Sequence, residues 1–401
     1  MGALLGAVLV TATAAFPAHA TPPPPAVKAD AWVLMAVRSG RVLASVHADE
    51  PRPAGSLAKL MTAYLTFRAA THGQISLDDP VRVTKHEWEM SGSQMFLKVG
   101  EDVTVDQLLQ GMLVAGGNDA AHALARHVSG SVGAFVQLMN RQARVLGLDD
   151  THFTNPSGLP DPHEQMSAHD AAVLASDLVR RFPGQYQRFS ARSITHSGIK
   201  QRNRNPVLGV VIGADGLITG HTAHGGYDLV ASAARDHMRL IAVLLGTHSR
   251  SNRLADANAM LSYGFREFVT LRVKRAGETV AQARVWMGAA DHVPAALTQD
   301  LYVTVPRHEM DSVEARAKFP PTLEAPLQEG QQIGALHVTD GDQPIAHAPL
   351  VAMRKVASSG WIQYAIDSVE LRWQTFWRRQ RQDLLAGKPG TAVDDGDGPP
   401  G

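Results

Sequence analysis

The stretch Pro53-Ala54-Gly55-Ser56-Leu57-Ala58-Lys59-Leu60-Met61-Thr62 sets a hydroxyl and an amine three residues apart, at the head of an apolar run. Leu60, Met61, Ala63, Tyr64, Leu65 and Phe67 follow with the spacing of a buried helix. If Ser56 opens that helix, Ser56 and Lys59 share a face, one turn apart. A lysine shielded from water loses its charge more readily and can accept a proton. The pair then has the makings of an activated serine with its own base. Alone it carries little weight, because about one Ser-x-x-Lys arises by chance in a chain of this size.

Working outward, residues 31–45 form a hairpin pattern, two apolar runs around Arg38-Ser39-Gly40-Arg41. Downstream, residues 81–85 are a short strand candidate. Thr104-Val105-Asp106-Gln107 has the form of a capping box and starts a helix over 105–115. Gly116-Gly117-Asn118 breaks it, and helices over 119–128 and 132–146 follow. Asn155-Pro156-Ser157-Gly158-Leu159-Pro160 is rich in turn formers. Ser167 caps a helix reaching 182. From Val207 the pattern turns to strands: an apolar run at 209–212, then a pair at 229–234 and 239–245. A helix over 253–268 closes this part. The order predicts a sheet whose first and last strands meet, with a helical lobe beside them.

Beyond about residue 271, alternating runs at 273–285, 300–305, 332–338 and 346–356 indicate a small β domain over 271–357. Residues 360–382 carry Ile362, Ile366, Val369, Trp373 and Phe376 at helical spacing, with Arg372, Arg378, Arg379 and Arg381. Tryptophan and arginine on an amphipathic helix suit a membrane surface; a helix packed on the β domain has the same period. The tail over 387–401, rich in Gly, Pro and Asp, has a disordered composition.

The 401 residues suffice for two or three domains, and 44% apolar content fits a folded protein. Lys plus Arg (38) balances Asp plus Glu (38), so there is no electrostatic case for a nucleic-acid partner. With no cysteine, disulfides, thiolate metal sites and a cysteine nucleophile are excluded. Residues 1–20 have an apolar run ending in Ala18-His19-Ala20, the pattern of an export signal cleaved after Ala20. The basic segment that precedes such a run is missing, which would place the natural start upstream. An uncleaved anchor is the other reading, though the run is shorter than the ~20 residues a span needs. The 18 histidines show no metal-ligand spacing; His221 and His224 read as loop residues. Asp30, Asp161 and Asp170 read as surface or capping groups. No cofactor motif is present.

Three features now stand in order: Ser56-x-x-Lys59, Gly116-Gly117-Asn118 between helices, and Asp215-Gly216-Leu217-Ile218-Thr219-Gly220-His221-Thr222 entering a strand. Met95-Phe96-Leu97-Lys98, Asn118-Asp119-Ala120-Ala121, Asn203-Arg204-Asn205 and Gly226-Tyr227-Asp228-Leu229-Val230-Ala231-Ser232 accompany them. In this order the chain resembles the serine-type D-alanyl-D-alanine carboxypeptidases, the low-molecular-mass penicillin-binding proteins. The resemblance implies an α+β fold: a β-lactamase/transpeptidase-like domain over 27–268, with a helical lobe on an antiparallel sheet, then the small β domain and the amphipathic helix. It implies a peptidoglycan stem peptide as substrate, β-lactams as covalent inhibitors, and a place outside the cytoplasmic membrane, attached peripherally to its outer face. It assigns attack to Ser56, proton acceptance to Lys59, and orientation of substrate or of the lysine amine to Asn118. Arg204 and Thr219 would hold the terminal carboxylate, and backbone N–H groups of Ser56 and His221, beyond Gly220, would hold the oxyanion.

Two departures stand out. The family's second motif is Ser-x-Asn, and here its first position is Gly116. The third is Lys-Thr-Gly, and here its first position is Ile218. A lost charged hydrogen bond costs about 1.5–3 kcal/mol, and a lost proton relay about 10²–10⁴ in rate. A weakened carboxypeptidase, a non-catalytic peptidoglycan-binding homologue and another hydrolase use of Ser56 and Lys59 are the readings this leaves open.

Overall fold

The computed structural model describes residues 21–222 and 225–360, with Trp373 and Trp377. The segments expected to be an export signal (1–20), an amphipathic helix (most of 360–382) and a disordered tail (387–401), together with His224, lie outside the described residues. No described helix is long and apolar enough to cross a membrane.

Two compact units divide between Val269 and Thr270. The first opens with β1 (Ala31–Ala36) and β2 (Val42–Val46), paired antiparallel across the turn at Gly40. A 3₁₀ turn, Gly55–Ala58, then runs directly into α1 (Lys59–Thr71). The short pair β3 (Pro80–Arg82) and β4 (Asp102–Thr104) brackets α2 (Lys85–Trp88). The Thr104 capping box forms as expected: its side chain accepts from Gln107 N, and Gln107 reaches back to Thr104 N. It starts α3 (Val105–Gln110), which continues as a π turn, Gly111–Ala115. Gly116, at φ +75°, ends that turn in the left-handed region, where a side chain would be strained. The lobe then carries α4 (Asn118–Ser129), α5 (Val132–Leu146), α6 (Ala168–Arg181, capped by Ser167) and α7 (Pro183–Tyr186).

A hairpin of β5 (Ser193–His196) and β6 (Ile199–Arg202) leads to β7 (Ala214–Thr222), β8 (Gly226–Arg235), β9 (Met238–Thr247) and α8 (Arg250–Glu267). The main sheet has the order β2-β1-β9-β8-β7, so first and last strands do meet, Val33 opposite Val243. Both are buried on both faces, which is why they read as continuous apolar runs. Val33, Met35, Ile241 and Val243 face the core shared with α1, α4 and α6. Trp32, Leu34, Leu240 and Ala242 face a second core with Met260 and Leu261 of α8.

One strand expectation is overturned. Residues 209–212 form turns, with Gly209 and Gly213 both at positive φ and with Val210 and Ile212 exposed. Asp170, read as a surface or capping group, is buried in the first turn of α6 and accepts from Asp150 N and Thr151 Oγ1.

The second unit is all β. A sheet of β11 (Thr279–Arg284), β12 (His292–Ala296), β14 (Val313–Lys318), β15 (Gln332–Asp340) and β16 (Gln343–Ala352) has the order β11-β12-β16-β15-β14. Beside it, β10 (Phe268–Lys274) pairs with β13 (Leu301–Pro306). The run at 273–285 is thus two strands broken at Gly277, and β12 and β14 were not separately legible.

Candidate active site

Ser56 sits in the 3₁₀ turn rather than at the first residue of α1, yet the turn is tight enough to meet Lys59. Lys59 Nζ donates to Ser56 Oγ at 3.3 Å and to the Ser157 carbonyl at 2.6 Å. The lysine is fully buried. Burial, then the guanidinium of Arg204, lower its pKa to about 7, against the pull of Asp119 and Glu164. Near neutral pH much of this amine is therefore free to accept a proton.

Ser157 was visible in the sequence as part of a turn-rich loop and nothing more. Its position is overdetermined. Asn155 Oδ1 accepts from the N–H groups of Ser157 and Leu159, and Glu164 accepts from Thr154 N and Thr154 Oγ1. Thr62, one turn beyond Lys59 region on α1, ties down the Pro156 carbonyl at 2.7 Å. A Cβ on Gly158 would stand 1.6 Å from the Gly55 carbonyl, so only glycine lets this loop lie on the Ser56 turn.

His122 of α4 was missed as well. Ser157 Oγ donates to Asn155 Oδ1 at 3.0 Å and so accepts from His122 Nε2–H at 3.2 Å. His122 is buried, and its Nδ1 has no hydrogen-bond partner among the described residues. Burial, then the neighbouring His86, push its pKa down to about 4, so the ring is neutral around pH 7. Its only sequence signal was a polar residue on an Ala-rich helix.

The second and third motif segments line the other side. Asn118 is buried; its N–H donates to the Ser93 carbonyl and its side-chain amide to the Ser91 carbonyl, both at 2.7 Å. No hydrogen bond joins it to Lys59 among the described residues, so the expected orientation of the lysine falls to Ser157 instead. Asp119, also buried, accepts from Met95 N and Leu97 N. Together these two residues pin the 91–97 loop beside the cleft. Gly116 and Ile218 border one small recess with Ser56, Arg204 and Thr219. Ile218 is 4% exposed and offers no polar atom there.

On β7, Gly220 pairs with Asp228, and its carbonyl accepts from buried Arg253. His221 pairs with Tyr227, and the rings stack at 4.3 Å. Arg204 N–H donates to the Val114 carbonyl, while Asn203 anchors to Phe189 and Ala191 carbonyls. Ser56, Arg204, Thr219, Gly220 and His221 line a cavity of about 580 Å³. Arg250 and Arg253 line it too, so the cleft is strongly cationic despite the missing lysine. Among the described residues no group of acidic or histidine side chains could hold a metal ion.

A hydroxyl held against a desolvated amine, on the floor of a cationic cleft between a helical lobe and an antiparallel sheet, defines the class of serine acyl-transfer hydrolases. Residues 18–249 match the D-alanyl-D-alanine carboxypeptidase family of S11 peptidases, and 268–358 match the C-terminal domain of penicillin-binding protein 5. The chain is 38% identical over 347 residues to D-alanyl-D-alanine carboxypeptidase DacD of Salmonella typhimurium, covering 84% of this chain and 89% of that protein. Its fold is similar to the crystal structure of penicillin binding protein 5 from Haemophilus influenzae, with TM-score 0.81 and 36% identity, over 84% of this chain and 100% of the other. It is also similar to ampicillin-bound penicillin-binding protein D2 from Listeria monocytogenes, with TM-score 0.56 and 29% identity, over 61% of this chain and 100% of that one. The chain belongs to the D-alanyl-D-alanine carboxypeptidase family.

Proposed function

We infer that this protein is a serine-type D-alanyl-D-alanine carboxypeptidase that removes the terminal D-Ala from peptidoglycan stem peptides. The observation that carries the reading is the buried Lys59 amine, with a pKa of about 7, held between Ser56 Oγ and the Ser157 carbonyl. Ser56 attacks the carbonyl of the penultimate D-Ala as its proton passes to Lys59. The oxyanion lies between backbone N–H groups of Ser56 and His221. Terminal D-Ala departs, and water hydrolyses the acyl-enzyme. Thr219 and the Arg204 guanidinium take the substrate carboxylate, a role that the cationic lining supports. Asn118 acts through the 91–97 loop that it holds. Gly116 and Ile218 slow turnover by withholding a hydroxyl and a cation. β-Lactams acylate the same serine.

The reading extends to location. The protein would be exported through residues 1–20 and rest on the outer face of the cytoplasmic membrane through the amphipathic sequence at 360–382. Deleting 361–401 should move it from the membrane fraction to the soluble one.

The activity is tested by D-Ala release from a stem pentapeptide ending in D-Ala-D-Ala. Release is expected, with loss of at least about 10⁴-fold in Ser56→Ala. No release, or release that survives the substitution, contradicts the reading.

A further inference from the structure

The lost polar pair has a stand-in within reach. The Arg204 side chain packs directly against position 116: a Cβ built on Gly116 would touch it at ordinary contact distance, 3.6 Å from Arg204 Cδ and 3.8 Å from Nη1. From there Arg204 Nη1 donates to Ser93 Oγ at 2.5 Å. Ser93, Arg204 and Ser56 line the same cavity. Both partners are held by backbone from opposite sides of Gly116. The Ser93 carbonyl accepts from Asn118 N at 2.7 Å, and Arg204 N donates to the Val114 carbonyl at 3.3 Å.

We propose that Ser93 and Arg204 replace the missing second-motif hydroxyl and third-motif cation, with Ser93 delivering the proton to the leaving D-Ala nitrogen. This rests on the carboxypeptidase reading above.

The chemistry follows from the direction of the hydrogen bond. A guanidinium only donates, so Ser93 Oγ accepts from it and its own O–H proton remains to be given. The cation also stabilises negative charge on that oxygen as the proton leaves. As the Ser56 Oγ–C bond forms, the Ser56 proton moves to Lys59. As the C–N bond breaks, the nitrogen takes the Ser93 proton. The Lys59 ammonium then restores one to Ser93 by way of solvent in the cleft, and both residues end as they began. Arg204 has further N–H groups for the substrate carboxylate, so the two duties are compatible. Its field also favours the neutral form of Lys59.

The test is Ser93→Ala, assayed on a D-Ala-D-Ala peptide and on the matching thiolester, whose thiolate departs without a proton. The peptide should lose about 10²-fold or more in kcat/KM and the thiolester less than about fivefold. In a Gly116→Ser/Ile218→Lys background, where a hydroxyl and a cation return, Ser93→Ala should cost the peptide less than about fivefold. Should the positive φ at 116 prevent that background from folding, the contrast between substrates in the parent decides alone. Equal losses on peptide and thiolester overturn the assignment while leaving the carboxypeptidase reading intact. A parent that cleaves neither substrate overturns both.

Discussion

The two walls of the cleft are built on different principles. On one, Ser56, Lys59 and Ser157 belong to the core: Lys59 and Ser157 are at most 1% exposed, and the loop over Ser56 packs so closely that Gly158 has no room for a Cβ. On the other, the polar groups ride on loops and a strand edge, and the positions that should carry them hold Gly116 and Ile218. Packing makes the first wall costly to change, since each substitution opens a cavity or orphans a buried polar group. The second can exchange a hydroxyl or a cation between neighbouring loops without disturbing the fold.

That contrast can be broken by perturbing each wall in turn. The largest effect is expected from Gly158→Ala. The added methyl must push the 155–159 loop off Gly55, carrying the Ser157 carbonyl away from Lys59, and a displacement of that size should slow penicillin acylation by about 10²-fold. An unchanged rate would mean that the first wall is not rigid. On the second wall, Gly116→Ala meets only ordinary contacts at 3.6–3.8 Å, so the expected loss is about 1 kcal/mol of stability from the positive φ.

Next in size is the pH profile. Acylation should rise with pH and level off above about 7, as Lys59 becomes neutral. A nearby cation disfavours an ammonium, so Arg204→Gln should raise the Lys59 pKa and move the limb to higher pH, lowering the rate near neutrality. A limb that stays in place would uncouple the two walls.

The smallest effect concerns His122. Its folded pKa, about 4, lies below the ordinary 6.5, so the unfolded chain takes up the proton first. Stability is therefore intact above about pH 6.5 and falls as pH drops toward 4, by up to about 3 kcal/mol. Urea unfolding at several pH values should show that slope and its flattening in His122→Leu. The same slope in the variant would assign the acid sensitivity elsewhere.

Much of this was legible in the sequence for reasons that are local. Helix starts at Thr104 and Ser167 are written in capping residues, and β1 and β9 are apolar throughout because cores cover both their faces. Ser56, Lys59, Arg204, Thr219, Gly220 and His221 do converge on one cavity or its floor. What stayed hidden is non-local. Ser157 acts through a carbonyl, which no side-chain motif records. His122 and Ser93 gain their partners across 35 and 111 positions of chain. The run at 209–212 misled because apolar residues between two glycines can as well form exposed turns. β14, an edge strand with Glu314, Arg316 and Lys318, carries the charges that keep such edges from pairing further, which masked it.

The central claim is that Ser56 and Lys59 remain a working attack pair although each facing motif has lost the polar side chain at its first position, Gly116 and Ile218. Intact-protein mass spectrometry after incubation with benzylpenicillin tests it most directly. The account predicts one covalent penicilloyl adduct per chain, mapped to Ser56 and absent from Ser56→Ala. An unmodified protein after prolonged exposure, or an adduct on any other residue, would contradict it.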